Sequence, residues 1–289
     1  MQFEKFCKDE YFDHHLYLFF AEREGNQTNR QILLKMAEHE WEHYLFWKEI
    51  VPSVQPSKRR ILFYFYYLLR KILGLTFTIK LLELHEKSVI TQYEKILNSS
   101  LLPDEKKEKL KKILEDEKTH EHSLSSLFEE LPVRYAGFVA LGLADAIVEI
   151  TGVHAGFLGV SGSTRTAGVA GIIVGVSASI SMGSAAYIQA KQDPHRNPTI
   201  SAVITLLTYL FTVIFLALPY FLTNHMGTAF FVSALLGVGL IFSLTFYGAV
   251  VFSRSLLKEF LESTILMALT ALITYFLGLF LGETFSLRP

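Results

Sequence analysis

Two copies of the pattern Glu-x-x-His stand in the first half of the chain, at Glu40-x-x-His43 and Glu117-x-x-His120. On an α-helix, positions three apart share a face, so each pair can offer a carboxylate and an imidazole to one ion. A single copy says little, because Glu and His are common on solvated helix faces. Two copies, each preceded at matching distance by a further Glu, are the donor set of a carboxylate-bridged di-metal site in a four-helix bundle. Carboxylate with imidazole suits iron or manganese better than it suits a thiol-preferring metal.

Four helices must position these groups. Residues 3–24 and 29–50 read as helices joined by the turn signal Gly25-Asn26-Gln27-Thr28-Asn29. A short turn makes them antiparallel neighbours, and Glu40 then falls opposite residues 13–14. Glu10 lies within about one turn of that point and is the ligand expected from the first helix, although Asp13 and His14 are also near. A third helix over 76–97 carries Glu83 and Glu86, and a fourth over 104–131 carries Glu117 and His120. Laid over one another, Glu10, Tyr17, Glu40 and His43 match Glu86, Tyr93, Glu117 and His120, with Glu-to-Glu separations of 30 and 31 residues. This is a duplicated helical hairpin. It supplies one Glu from each of two helices and a Glu-x-x-His from each of the other two. Glu38, His39, Glu42, Glu121 and His122 fit solvated faces, while His14, His15 and His85 fit either role.

Between the hairpins, Lys58-Arg59-Arg60 leads into the apolar run 61–69, which Arg70-Lys71 interrupts. Charge breaks it too often for a bilayer span. It reads first as a crossover packed on the bundle core, and alternatively as a membrane-surface segment with a basic flank.

The chain has 289 residues and a net charge of −1, which gives no overall field toward nucleic acid. The mean conceals a division. The first 131 residues hold 20 of the 27 Lys/Arg and 22 of the 28 Asp/Glu. The remainder is nearly bare of charge, as a bilayer requires. The single cysteine, Cys7, excludes an internal disulfide and any Cys-x-x-Cys metal centre. The first residues lack the apolar core of a signal peptide, which points to a cytoplasmic N-terminal domain.

Five segments after Pro132 qualify as membrane spans, over 135–160, 167–190, 199–222, 227–252 and 262–282. Arg134, Lys191, Arg196, Arg254 and Lys258 fall on one side of that topology, Arg165 and Arg288 on the other. The positive-inside rule then places residues 1–131 in the cytoplasm and the C-terminus outside. The first span carries Asp145 and Glu149, four apart on one helix face. Carboxylates inside a membrane usually line a pathway or pair with another charge; Arg134 and Lys191 are the nearest candidates for pairing. His154 lies further along the same span. In the second span, the spacing around Met182 fits packing as well as soft ligation.

Residues 1–131 resemble a rubrerythrin- or ferritin-like domain, which implies a di-iron centre and an additional ligand at Glu83. Peroxidase members of that family also carry a rubredoxin module, which this chain lacks. Gly142 to Gly156 resembles the first-helix signature of the vacuolar iron transporter family, and Ser181-Met182-Gly183 falls where that family has its Ser-Met-Ala/Gly motif. That resemblance implies five spans, a homodimer with a cation path at its interface, and pathway roles for Asp145 and Met182; Glu149 stands on the same face. The Glu-rich cytoplasmic insert of plant members is absent, since Lys191 to Pro198 alone joins the second and third spans. The whole chain resembles membrane-bound ferritins.

The expected fold is all-α: a ferritin-like four-helix bundle over 1–131 followed by a five-helix transmembrane domain over 132–289. The expected function is export of cytoplasmic Fe2+ or Mn2+ across the cell (inner) membrane by proton antiport, after capture or sensing of metal by the bundle. The alternative is a membrane-anchored di-iron ferroxidase or peroxidase.

Overall fold

The structure, a computed structural model, describes residues 2–57, 59–99, 101–123, 130–160 and 162–286; of residues 60, 85–88 and 118–123 the backbone alone is described. All regular structure among them is helical. The chain divides into two compact units, Met1–Glu130 and Leu131–Pro289.

In the first unit, α1 (Gln2–Ala21) and α2 (Gln27–Ile50) form an antiparallel hairpin, and α4 (Leu75–Leu97) and α5 (Asp104–Ser123) form a second. The crossover between them contains α3 (Arg60–Leu73). Helix α2 begins two residues earlier than its sequence suggests. The Asn26 side chain accepts from the backbone N–H groups of Thr28 (2.9 Å) and Asn29 (3.1 Å) and so caps the helix inside the turn signal. The fourth helix does not run to residue 131: Glu130 is non-helical and Leu131 opens a new helix. Proline is tolerated in the first turn of a helix, so Pro132 starts that helix rather than ending the one before.

The bundle interior has two apolar layers. One contains Phe12, Leu16, Phe20, Leu33, Met36, Ile79 and Leu82. The other contains Phe6, Cys7, Tyr44, Trp47, Val89, Tyr93, Leu110 and Ile113. Each of α1, α2 and α4 contributes to both. On α2 the stripe reads Leu33, Met36, Ala37, Glu40, His43, Tyr44, Trp47, an i, i+3, i+4, i+7 series in which Glu40 and His43 occupy core positions.

Helix α3 is amphipathic and only half used. Its inner residues Leu62, Phe63 and Tyr66 pack on the first layer. Arg70 turns inward, to Glu24 at 2.7 Å and the Phe20 carbonyl at 3.0 Å, which binds α3 to the C-terminal end of α1. Its opposite face remains exposed. Core packing therefore accounts for one side of this run.

In the second unit, α6 (Leu131–Val160) packs against α7 (Thr164–Ala190), α8 (Pro198–Ala217), α10 (Met226–Phe252) and α11 (Leu256–Thr284), and so is the central helix. A one-turn α9 (Pro219–Leu222) follows α8, where Pro219 interrupts the third apolar segment. Five segments are long and apolar enough to cross a membrane. Close crossings rest on glycine. A Cβ at Gly142 would stand 2.5 Å from the Thr205 carbonyl of α8, and one at Gly159 would stand 2.5 Å from the Tyr275 carbonyl of α11. In lipid, helices associate through such backbone approach rather than hydrophobic exclusion.

Candidate metal centre

Between the two apolar layers lies a polar band. Glu10 of α1, Glu40 and His43 of α2 and Glu117 of α5 are all buried, and one ligand atom of each lies within 4.8 Å of all the others. Nδ1 of His43 faces three carboxylates, at 3.0 Å from Glu117, 3.5 Å from Glu40 and 3.8 Å from Glu10. Its Nε2 faces Asp116 at 3.8 Å. The hydroxyl of Tyr93 donates to Glu10 at 2.5 Å and itself accepts from Trp47 Nε1 at 3.0 Å.

The electrostatics of this band follow from crowding. Burial, followed by the neighbouring Glu117 charge, pushes the Glu40 carboxyl well above the usual carboxylate range. Burial opposes a charged His43, but the carboxylates of Asp116, Glu10, Glu117 and Glu40, facing its ring nitrogens as acceptors, outweigh it and hold the imidazolium well above the ordinary histidine range. Burial and then the Glu10 charge raise the Tyr93 phenol. Three mutually repelling carboxylates around an imidazole require a cation, either protons or a metal. The hard oxygen donors with one ring nitrogen fit iron or manganese. Glu10, Glu40, His43 and Glu117 would hold it.

Of the ligands expected in the first bundle helix, Glu10 reaches the band. His14 Nδ1 instead lies 2.6 Å from the Ala37 carbonyl, and His15 Nδ1 lies 2.8 Å from the Tyr11 carbonyl. Asp13 is outside the converging group. Glu83 is buried on α4 but is not one of the four converging residues. The side chains of Glu86 and His120 lie outside the described residues. Asp116 was not singled out from the sequence, although it stands beside Glu117. Tyr93 was noticed only as the counterpart of Tyr17, because a contact across 83 residues leaves no local spacing.

In the second unit, Glu149 accepts a hydrogen bond from the hydroxyl of Tyr209, a fully buried residue of α8. Asp145 is exposed and borders a cavity of about 320 Å³ with Ile241 and Leu244 of α10 and Ser263 and Leu266 of α11. The two carboxylates thus sit on neighbouring parts of one helix face and meet different helices. Met182 packs against the apolar cluster that includes Ala146, Ile150 and Tyr209. His154 is buried against Tyr220, with ring centroids 4.0 Å apart, and neither ring nitrogen has a hydrogen-bond partner among the described residues. A tyrosine in the middle of a charge-free span was the available signal for Tyr209.

No curated protein and no solved structure matches the chain. Residues 3–128 match the Rubrerythrin family model, and the buried Glu/His band falls within that match. The chain therefore carries a rubrerythrin-like, ferritin-like domain at its N-terminus, followed by five helices able to cross a membrane.

Proposed function

We propose that the protein is a multi-pass membrane transporter that exports Fe2+, and secondarily Mn2+, from the cytoplasm in exchange for protons. The rubrerythrin-like bundle loads metal at a di-iron site formed by Glu10, Glu40, His43, Glu83, Glu86, Glu117 and His120. In this reading the bundle is cytoplasmic and the protein works as a homodimer in the cell (inner) membrane.

The observation that carries the proposal is the placement of Glu149 and Asp145 on α6, the central helix of a unit almost free of charge. A membrane anchor needs one span and no carboxylate. Carboxylates within a span are expensive and mark ion or proton routes. Metal and proton compete for the same oxygens, so a site of this kind exchanges one for the other. Glu149 would take up and release a proton beside the Tyr209 hydroxyl, while Asp145, open to its cavity, meets the arriving cation. Met182 would add a soft contact, as its resemblance to the vacuolar iron transporter motif implies. Iron in the bundle would supply Fe2+/Fe3+ redox chemistry.

One arrangement favours a second reading, an anchored ferroxidase or peroxidase. Trp47 and Tyr93 form a buried aromatic path ending on Glu10. Reconstitution into liposomes with a pH gradient separates the two. Fe2+ efflux driven by proton influx, weaker for Zn2+, supports transport. Rapid multiple-turnover peroxide reduction without flux would overturn it.

A further inference from the structure

Helix α3 exposes Ile61, Tyr64, Phe65, Leu68 and Ile72, which recur at i, i+3, i+4, i+7 and i+11 along one side. Ile61 is 89% exposed and Tyr64 70%. Five large apolar side chains on a single stripe of 14 residues are not scattered surface hydrophobics; such a patch marks an interaction surface. The opposite side of the same helix is already committed to the bundle through Leu62, Phe63, Tyr66 and Arg70. The stripe therefore cannot be buried by rotating the helix.

The surroundings identify the occupant. Glycine alone joins α3 to α4: Gly74 takes φ 92°, a left-handed conformation open to glycine, and Leu75 starts the next helix. That junction is clamped to Glu130, whose carboxylate accepts from Thr76 N (2.8 Å), Thr76 Oγ1 (2.7 Å) and Leu75 N (3.3 Å). Glu130 directly precedes Leu131, where the first candidate span begins. The C-terminal end of α3 is thus fastened to the residue from which the chain enters its spans. In sequence Lys58, Arg59 and Arg60 stand at the start of the helix, Arg59 paired with Asp9 at 2.9 Å, and an exposed Lys71 stands near its end, a basic flanking pattern that anionic headgroups attract. Tyr64 is of the amphipathic aromatic type that settles at a membrane–water boundary.

We infer that α3 lies in the interfacial layer of the same bilayer that the five long helices of the second unit cross, with the Ile61–Ile72 stripe among the acyl chains and its basic ends among anionic headgroups. This inference rests on the membrane reading of the second unit. It gives the bundle a second attachment besides its covalent link, on an edge that also forms one wall of the first apolar layer.

The test uses the full chain in nanodiscs of phosphatidylcholine with phosphatidylglycerol. Cys7 is buried, so spin labels can be placed singly through Leu68→Cys on α3, Ile273→Cys on α11 and Lys112→Cys on α5. Each label's accessibility to oxygen, which concentrates in lipid, is compared with that to a water-soluble nickel complex. The expected result is that the Leu68 label behaves like the Ile273 label and opposite to the Lys112 label, more strongly with anionic lipid. A Leu68 label open to nickel, while Ile273 is lipid-exposed, overturns the inference and leaves the spans intact. A Leu68 label shielded from both reagents also overturns it, because protein then covers the stripe. A nickel-accessible Ile273 label overturns the membrane reading itself. On the unmodified chain, a lipid-soluble diazirine should label the 61–72 peptide together with span peptides; absence of label there contradicts the inference without any substitution.

Discussion

Tyr93 on α4 donates its hydroxyl proton to Oε1 of Glu10 on α1, at 2.5 Å and across 83 residues of sequence. Trp47 on α2 donates to the same hydroxyl from 3.0 Å. One buried hydroxyl thereby ties three helices together and fixes a carboxylate of the metal band from behind. Tyr93→Phe removes it and leaves Glu10 and Trp47 Nε1 each short of a buried partner. The expected loss of stability is about 1–3 kcal/mol, read by denaturation of the metal-free chain, with weaker retention of Fe2+ by the bundle. An unchanged midpoint and unchanged metal content would show that this bond holds nothing in place.

The pH response of the bundle follows from the directions of its shifts. Folded-state Glu40 and His43 both titrate above their unfolded values. The stability they contribute is present at low pH and is lost as pH rises through their raised pKa values. Asp116 runs the other way: the His43 contact lowers its pKa, so its contribution disappears as pH falls through that lowered value. The metal-free bundle should therefore melt at lower temperature as pH rises above about 4.3, the ordinary Glu value. Because ligands must shed protons to bind metal, added Mn2+ should raise the melting temperature more at about pH 8 than at about pH 6. A metal effect independent of pH contradicts this.

Asp116 faces the far nitrogen of His43 at 3.8 Å. Groups behind a ligating histidine orient it, and their removal typically costs about 10–100-fold in metal affinity. Asp116→Asn is expected to lower bundle affinity for Mn2+ within that range in a titration, and also to lower the melting temperature of the metal-free chain at neutral pH, where the His43 contact contributes. Equal affinity would remove Asp116 from the account.

Helices α6 and α11 cross backbone to backbone, and a Cβ at Gly278 would strike the Gly156 carbonyl. Gly278→Val should force the helices apart, at a cost of about 1–3 kcal/mol or more, seen as a lower melting temperature in detergent. Gly227→Ala on α10 meets nothing within 4 Å and serves as the neutral control. Equal behaviour of the two variants would refute the crossing.

Much of the bundle was legible because its polar ligands occupy positions that periodicity reserves for the core. Glu40 and His43 interrupt the apolar stripe of α2 where Leu or Phe would otherwise stand, and the duplication repeated that interruption near Glu117. The choice among Glu10, Asp13 and His14 was not legible, since it depends on helix rotation; the hydrogen bond of His14 to the Ala37 carbonyl takes that residue out of the band. The run 61–69 was open to core packing or to a membrane surface, and which of its faces stays exposed was not legible, because hydropathy does not say which half of an apolar helix finds a neighbour. Tyr209 meets Glu149 across 60 residues, and spacing within one helix cannot reveal a partner on another.

The most direct test of the central claim is proton-driven Fe2+ flux in proteoliposomes, measured for the unmodified chain and for Asp145→Ala, with bundle metal determined on the same preparations. The account predicts that Asp145→Ala abolishes proton-coupled flux while bundle metal content stays unchanged. Flux that persists undiminished in Asp145→Ala would contradict it.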